Sequence, residues 1–259
     1  MKSYLEIALE AAQKAGMIIK ENFHSEKEID YKGRINLVTN VDREAERVVI
    51  ETILKYYPEH NILTEETEHK QNASQPYRWV IDPLDGTTNY VHGFPFVCVS
   101  IALQKNEESI VGVVYNPILD ELFFAEKDQG SFRNSLPISV SDNADFSKSL
   151  LATGFPYEML NEKRNNIENF SKMIKKCRGI RRPGAAALDM CYVACGIFDG
   201  YWEIELFPWD TAAGVVILEE AGGKVTKFAG SKFSIFDKEI IASNGRIHWE
   251  LLRVLGVGF

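Results

Sequence analysis

The sequence predicts a mixed α/β fold whose two halves are organised differently. Apolar residues recur at helical spacing near the N-terminus, form short strand-like runs from residue 79 to residue 126, and then alternate between strand and helix patterns after residue 146. Because 45% of the 259 residues are hydrophobic, the chain can bury a substantial core. We therefore expect an α+β first half packed closely against an alternating α/β second half.

Two amphipathic helices are predicted to begin the chain. Residues 3–23 carry apolar side chains at intervals of three and four, and a similar pattern runs over residues 41–57. The stretch TNVD (39–42) fits a capping box at the start of the second helix. Charged residues interrupt the first apolar pattern, which argues against a signal peptide, and no run of 18 apolar residues occurs. We expect a cytoplasmic protein without a membrane span.

Strands follow, and the pattern then changes again. The runs that predict an antiparallel meander are 79–82, 96–103, 110–116 and 121–126. The polar stretch 140–148 indicates a boundary between two closely packed subdomains, 1–145 and 146–259. The second subdomain is predicted to contain, in order, a strand at 149–155, helices at 161–176 and 185–195, a strand at 199–205, a helix at 210–221, strands at 223–228 and 239–243, and a last helix.

Charge and cysteine content exclude several classes of protein. The net charge is −8, whereas direct nucleic-acid binding needs clustered lysine and arginine, so an acidic chain that handles phosphate would need metal cations. The five histidines show no H-E-x-x-H or comparable spacing, which argues against a zinc site. No C-x-x-C pair occurs, so we expect reduced, mostly buried thiols at Cys98, Cys177, Cys191 and Cys195.

The stretch WVIDPLDGTTN (79–89) holds the candidate chemistry. Pro83 restricts its neighbours and Gly86 permits an unusual backbone angle, so the chain can turn until Asp82 and Asp85 face one point. The carbonyl of Leu84 can join these carboxylates. Such hard oxygen ligands suit Mg²⁺ or Ca²⁺ rather than zinc. The residues GTT (86–88) can bring backbone N–H groups to an anion, although an ordinary surface turn is the alternative interpretation.

Three further acids could complete this site. Glu65 follows a short apolar stretch, and Asp210 lies at the start of an apolar helix. A solvated loop acid and an acid that favours the helix dipole are the alternative interpretations of these two residues. Asp42 is a plausible capping-box acid, and its functional role depends on whether the fold brings it near Thr87.

These motifs resemble the inositol monophosphatase family in its bacterial form. The resemblance covers nearly the whole chain and is carried by the stretches LVTNVD (37–42), ILTEE (62–66), WVIDPLDGTTNYVHGFPFVCVSIAL (79–103) and PWDTAAGVVILEEAGG (208–223). It implies a layered αβαβα sandwich, dependence on two or three Mg²⁺ ions, sensitivity to lithium and a homodimer. Whether the segment DYKGRINL (30–37) serves a third metal stays open.

The resemblance also implies roles for individual residues. Metal ligands are implied at Glu65, Asp82, Asp85, Asp210 and the carbonyl of Leu84. Thr87, paired with Asp42, would orient the attacking water, with Glu65 as a third catalytic residue. Phosphate and alcohol contacts are implied at Asp85, Gly86, Thr87, Gly184, Ala186 and Glu203. Helix packing is the alternative for the alanines at 185–187, and Arg181 and Arg182 could bind a second phosphate or form a solvated loop pair.

We therefore predict a phosphoric monoester hydrolase that cleaves inositol 1-phosphate with water activated by Mg²⁺. Fructose 1,6-bisphosphatase, a dual inositol and sugar phosphatase, and a nucleotide 3′-phosphatase are alternative activities. A non-enzymatic alternative is a protein partner in transcription and ribosomal RNA maturation, a role that some bacterial relatives have. The intact set of acids favours the enzyme, since a binding module has no physical reason to pack these carboxylates together.

Overall fold

The computed structural model describes residues 2–25, 29–32, 36–67, 71–156 and 166–256. The helices within these ranges are α1 (Tyr4–Asn22), α2 (Asn40–Leu54), α3 (Thr87–Val91), α4 (Ile167–Met173), α5 (Ala186–Ala194), α6 (Pro208–Glu220) and α7 (His248–Leu255). The strands within them are β1 (Ile29–Lys32), β2 (Asn36–Thr39), β3 (Asn61–Thr64), β4 (Tyr77–Asp85), β5 (Cys98–Lys105), β6 (Glu108–Asn116), β7 (Glu121–Glu126), β8 (Ser131–Arg133), β9 (Leu136–Ile138), β10 (Leu150–Thr153), β11 (Gly179–Arg181), β12 (Gly200–Ile204), β13 (Lys224–Thr226) and β14 (Glu239–Ser243).

The described helices and strands are stacked in layers. A larger sheet has the order β3-β4-β5-β6-β7-β8-β9, and a smaller sheet has the order β11-β10-β12-β14-β13. Helices α1 and α2 cover the outer face of the larger sheet, α5 and α6 lie between the two sheets, and α4 and α7 cover the outer face of the smaller sheet. The αβαβα order implied by the family resemblance is therefore confirmed.

The alternation of side chains along the strands explains this layering. Trp79 and Ile81 of β4 are buried against α1 and α2, whereas Val80 between them is buried against the layer of α5 and α6. In β12, Tyr201 faces that same middle layer and Trp202 faces the outer helices. Successive residues of a strand point to opposite faces, so strands that are apolar throughout are covered by helices on both sides.

Helix α2 begins as predicted and ends early. Thr39 Oγ1 accepts a hydrogen bond from Val41 N (3.2 Å), and Thr39 N donates to Asp42 Oδ2 (2.9 Å), which confirms the capping interaction. The predicted end at residue 57 is wrong, because the helix stops at Leu54. Tyr57 precedes Pro58, and the residue before a proline is disfavoured in the helical conformation.

Strand β4 extends beyond its predicted end at residue 82. It continues to Asp85, and its antiparallel register with β5 shifts between Asp82 and Asp85. Pro83 lies in this irregularity, where its missing N–H is not needed by the ladder. The predicted meander is confirmed, since β4, β5, β6 and β7 pair antiparallel in sequence order.

Other predictions were partly confirmed or fall outside the described residues. The helix predicted at 161–176 is described as α4 from Ile167 and ends at Met173, so its predicted end at residue 176 is wrong; residues 157–165 lie outside the described ranges. Residues 33–35 and 68–70 also lie outside them, including Gly33 and Arg34 of the segment 30–37. All four cysteines carry free thiols. None of the helices in the described ranges combines the length and apolar character that crossing a bilayer requires.

Candidate active site

A cavity of about 410 Å³ opens where β3 and β4 end and α6 begins. These two strands are parallel neighbours, and Thr64 is paired with Ile81, so Glu65 emerges from β3 beside Asp82 of β4. Asp210 approaches from the first turn of α6. The acids that line the cavity are Glu65, Asp82, Asp85, Glu203 and Asp210.

Backbone amides orient the three aspartates of this site. The hydrogen bonds join Asp82 Oδ1 to Leu84 N (3.0 Å), Asp85 Oδ2 to Ala187 N (2.9 Å) and Asp210 Oδ2 to Phe207 N (2.7 Å). Among the described residues, no hydrogen-bond donor reaches the second oxygen of any of these carboxylates. Each aspartate is therefore held by one oxygen and can present the other to the cavity.

The carboxylates are crowded and poorly neutralised. Burial, followed by the charges of Glu65 and Asp85, raises the pKa of Asp82 well above its ordinary value. Burial and the charge of Asp210 do the same to the pKa of Asp85, and burial raises the pKa of Asp210 to about 6. Within the described ranges, no lysine or arginine forms an ion pair with these aspartates. Such a cluster is stabilised by cations or by protons.

The donor set fits Mg²⁺ in its chemistry, because every candidate ligand is a carboxylate or carbonyl oxygen. Those ligands are Glu65, Asp82, Asp85, Asp210 and the carbonyl of Leu84. In the part of the chain that the structure describes, no three His, Cys, Asp or Glu side chains converge closely enough to hold an ion as they stand. Metal binding would therefore require the carboxylates to close around the cation.

Thr87 and Asp42 form the predicted pair. Thr87 Oγ1 lies 3.0 Å from Asp42 Oδ1 and 3.1 Å from the Leu84 carbonyl oxygen, so its single proton can serve either acceptor. The other carboxylate oxygen of Asp42 accepts hydrogen bonds from Thr39 N (2.9 Å) and Thr39 Oγ1 (2.5 Å). The capping box therefore also aims the Asp42 carboxylate at Thr87. Burial raises the pKa of Asp42.

Gly86 gives the turn its shape. Its φ of 90° lies in the left-handed region, and a Cβ there would stand 2.9 Å from the Phe96 carbonyl oxygen. Helix α3 starts immediately afterwards at Thr87, so its first amides have no acceptor within the helix. Both residues line the cavity, where these amides can meet an anion.

The opposite wall of the cavity contains the predicted alcohol contacts Gly184, Ala186 and Glu203. Glu203 Oε2 accepts a hydrogen bond of 2.5 Å from the Tyr201 hydroxyl, and burial raises the pKa of Glu203 to about 7. The two adjacent arginines have different surroundings. Arg182 lines the cavity, whereas the Arg181 guanidinium donates to the Ile180 carbonyl.

Sequence reasoning missed the role of Asn89, the last residue of the D-P-L-D-G-T-T-N motif. Its side-chain amide donates to the carbonyls of Phe96 (2.8 Å) and Pro183 (2.8 Å), which ties the acidic turn to the alcohol wall. It also missed the Ala187 amide that holds Asp85. The position of Asn89 within the motif was the available signal, but its partner lies 94 residues away in sequence.

Comparison with known proteins relates the chain to one family. Residues 1–255 match the inositol monophosphatase family. The Aquifex aeolicus protein named fructose-1,6-bisphosphatase/inositol-1-monophosphatase is 43% identical over 256 residues, which cover 98% of this chain and 96% of that protein. The Escherichia coli K12 protein named Nus factor SuhB is 42% identical over 249 residues, which cover 95% of this chain and 93% of that protein.

A solved structure extends the similarity to three dimensions. Inositol monophosphatase from Anabaena (Nostoc) sp. PCC 7120 superimposes with a TM-score of 0.89 at 44% sequence identity, over 97% of this chain and 94% of that one. The match thus includes nearly the whole chain. The chain belongs to the inositol monophosphatase family, a family of phosphatases.

Proposed function

We propose that this protein is a Mg²⁺-dependent phosphomonoesterase that hydrolyses inositol 1-phosphate. The observation that carries the proposal is that four carboxylates, one of them buried and three partly buried, line one cavity together with a threonine that is hydrogen-bonded to an aspartate. These residues are Glu65, Asp82, Asp85, Asp210, Thr87 and Asp42. The cations would be held by the four carboxylates together with the Leu84 carbonyl.

When bound, Mg²⁺ would neutralise the phosphate, lower the pKa of the attacking water and stabilise the leaving alkoxide. The protein contributes orientation. Thr87 Oγ1 can donate its proton to Asp42 while accepting a hydrogen bond from the attacking water, which turns a water lone pair toward phosphorus. The backbone amides of Gly86 and Thr87 would hold the phosphate oxygens, and Glu65 would help to hold the water in place.

The alcohol wall supports a polyol as the leaving group. Glu203 and Asp85 are acceptors that can bind ring hydroxyls, and the small residues Gly184 and Ala186 leave room for a ring. Fructose 1,6-bisphosphate stays an alternative substrate, since the Aquifex aeolicus relative is named for both activities. Arg182 lines the cavity and could bind the second phosphate of such a substrate.

A phosphate-release panel tests this proposal. The substrates are inositol 1-phosphate, fructose 1,6-bisphosphate, NADP and adenosine 3′,5′-bisphosphate, each measured with Mg²⁺ and with a chelator. We expect release from inositol 1-phosphate to need Mg²⁺ and to exceed release from the others. Robust turnover in the chelator would reject the mechanism, and preference for another substrate would reject the assignment of inositol 1-phosphate.

The Escherichia coli relative named Nus factor SuhB favours a second candidate role, as a protein partner. Such a role would not require the carboxylates, whereas the enzyme does. In cells that depend on the partner role, an Asp210→Asn variant should restore growth while releasing no phosphate. If that variant fails although it folds and is expressed normally, the growth function depends on catalysis.

Three further properties follow from the family and belong to this proposal. The enzyme should be inhibited by lithium, form a homodimer and reside in the cytoplasm. Phosphate release measured against lithium concentration, and sedimentation at micromolar protein, test the first two. Full activity in lithium and a monomeric sedimentation coefficient would contradict them.

A further inference from the structure

Glu46 of α2 is a buried carboxylate with an unusual set of partners. Its side chain is only 2% exposed. Oε2 accepts hydrogen bonds from Thr64 Oγ1 (2.5 Å) and Glu66 N (3.0 Å), and Oε1 accepts one from Thr67 Oγ1 (2.6 Å). These donors lie on both sides of Glu65. A single carboxylate is therefore hydrogen-bonded to three residues of the segment that carries one of the candidate metal ligands.

Helix α2 connects two parts of the candidate site. Residues four apart on a helix lie on the same face, so Asp42 and Glu46 project from α2 in nearly the same direction. Asp42 contacts Thr87 in the acidic turn, and Glu46 contacts the segment 64–67. One face of one helix thereby sets the position of Thr87 relative to Glu65.

The Glu65 segment needs such a restraint. Strand β3 ends at Thr64, so the following residues lie outside the β3–β4 ladder. The negative charges of Glu65 and Asp82 repel one another before a cation is bound. Within the described ranges Glu46 forms no ion pair, and hydrogen bonds from the segment offset the cost of burying its charge. The segment and Glu46 therefore stabilise each other.

We propose that Glu46 is a positioning residue, which holds the segment 64–67 so that Glu65 stands ready to bind Mg²⁺. This inference rests on the proposed function for its metal, but the restraint on the segment can be measured without any metal. In this proposal Glu46 affects metal binding through the position of Glu65.

Variants of Glu46 can separate its hydrogen bonds from its charge. Glu46→Ala removes all three contacts. Glu46→Gln can keep them, because its oxygen can replace Oε2 and its amide can donate to Thr67 Oγ1, whose hydroxyl can turn to accept. Thr52→Val is the matched control. Thr52 is a buried polar residue of the same helix and contacts Lys14 rather than the segment.

The experiment measures calorimetric binding of Mg²⁺ to metal-free protein, hydrogen exchange of the amides at 64–67, and phosphate release against Mg²⁺ concentration. Glu46→Ala should bind Mg²⁺ about 10–100-fold more weakly, the range that is typical when a group that orients a metal ligand is removed. Its exchange at 64–67 should be faster, and its kcat should recover at saturating Mg²⁺. Glu46→Gln and Thr52→Val should stay close to the original protein.

Each result decides the inference. A folded Glu46→Ala protein with unchanged Mg²⁺ affinity overturns it, as does a Glu46→Gln protein that is as weak as Glu46→Ala. If Glu46→Ala does not fold, Thr67→Val removes one contact from the other side and should weaken Mg²⁺ binding in the same direction; unchanged binding overturns the inference. If the unmodified protein binds no Mg²⁺ and releases no phosphate, the proposed function has failed. Exchange at 64–67 then decides alone whether Glu46 holds the segment.

Discussion

Strand β4 has an aromatic cluster at its N-terminal end and the acidic turn at its C-terminal end. In the cluster, the His60 ring stacks between Tyr57 (centroids 4.6 Å apart) and Tyr77 (4.8 Å). Trp79 Nε1 donates a hydrogen bond of 3.1 Å to His60 Nδ1. The buried indole N–H of Trp79 thus has a partner, and the rings contribute packing as well as this hydrogen bond.

The acidic turn lies a few residues further along the same strand. Asp82 and Asp85 are crowded by other carboxylates, and each has only one oxygen fixed by a backbone amide. Burial and like charges raise the pKa values of both aspartates. One end of β4 therefore stabilises the fold, whereas the other end is destabilising until a cation binds, which is typical of functional sites.

The largest effect is expected from a change at the acidic end. Asp85→Asn should lower kcat/KM by about 10²-fold or more, because a ligand charge worth several kcal/mol is lost. The metal-free protein should be as stable as before or more stable, since a repulsive charge is removed and the new side-chain oxygen can still accept from Ala187 N. Phosphate release and urea unfolding of the metal-free protein measure the two effects. A near-normal kcat would show that Asp85 has a structural role in the turn and is not a metal ligand.

A change at the alcohol wall should affect one class of substrate. Glu203→Ala should reduce kcat/KM for inositol 1-phosphate by the value of one or two charge-assisted hydrogen bonds, about 1.5–3 kcal/mol each. Hydrolysis of a plain aryl phosphate should change little, because it lacks the ring hydroxyls. Glu203→Gln, which keeps an acceptor for the Tyr201 hydroxyl, is the control for folding. Equal losses on both substrates, together with a lower melting temperature, would remove Glu203 from the substrate site.

A change at the aromatic end should lower the stability of the protein and leave its activity almost unchanged. Trp79→Phe removes the hydrogen bond to His60 and part of a fully buried side chain. We expect the free energy of unfolding to fall by about 1–3 kcal/mol, with kcat/KM at saturating Mg²⁺ almost unchanged. Urea unfolding and phosphate release on the same preparation provide the comparison. A loss of activity without a loss of stability would contradict the claim that the aromatic end supports the fold and the acidic end supports catalysis.

The stability of the metal-free protein should also depend on pH. In the folded protein the pKa of Asp210 is raised to about 6 and that of Glu203 to about 7; in unfolded chains Asp and Glu titrate at about 3.9 and 4.3. The native state thus binds more protons than the unfolded state. The free energy of unfolding therefore falls as the pH rises from about 4 through 7. The metal-free protein should unfold at lower urea at pH 8 than at pH 5, and Asp210→Asn should show a smaller difference. An equal difference in both proteins would contradict the assignment.

Much of the fold could be predicted because its signals are local. Helix α1 follows apolar periodicity, α5 and α6 are short apolar runs, the second of which ends just before Gly222 and Gly223, and the meander from β4 to β7 follows apolar runs separated by turns. The three-residue strands β8, β9 and β11 were not predicted. Their pairing depends on neighbouring strands rather than on a pattern of their own.

The site was predictable only where a motif names its residues. Thr87 and Asp42 meet as expected, although they lie 45 residues apart. Glu46 was missed because a glutamate inside a helix is ordinarily solvent-exposed, and only the fold shows that it is buried beneath the Glu65 segment. The sequence could not show which of Arg181 and Arg182 lines the cavity, because this depends on the direction of each side chain in the fold.

The central claim is that the acidic end of β4 is completed by Mg²⁺. Calorimetric titration of Mg²⁺ into the metal-free protein at pH 8, repeated with Asp85→Asn and Trp79→Phe, tests it most directly. We predict saturable binding to the unmodified protein and to Trp79→Phe, and markedly weaker binding to Asp85→Asn. Binding that is absent from the unmodified protein, or equal in Asp85→Asn, would contradict the claim.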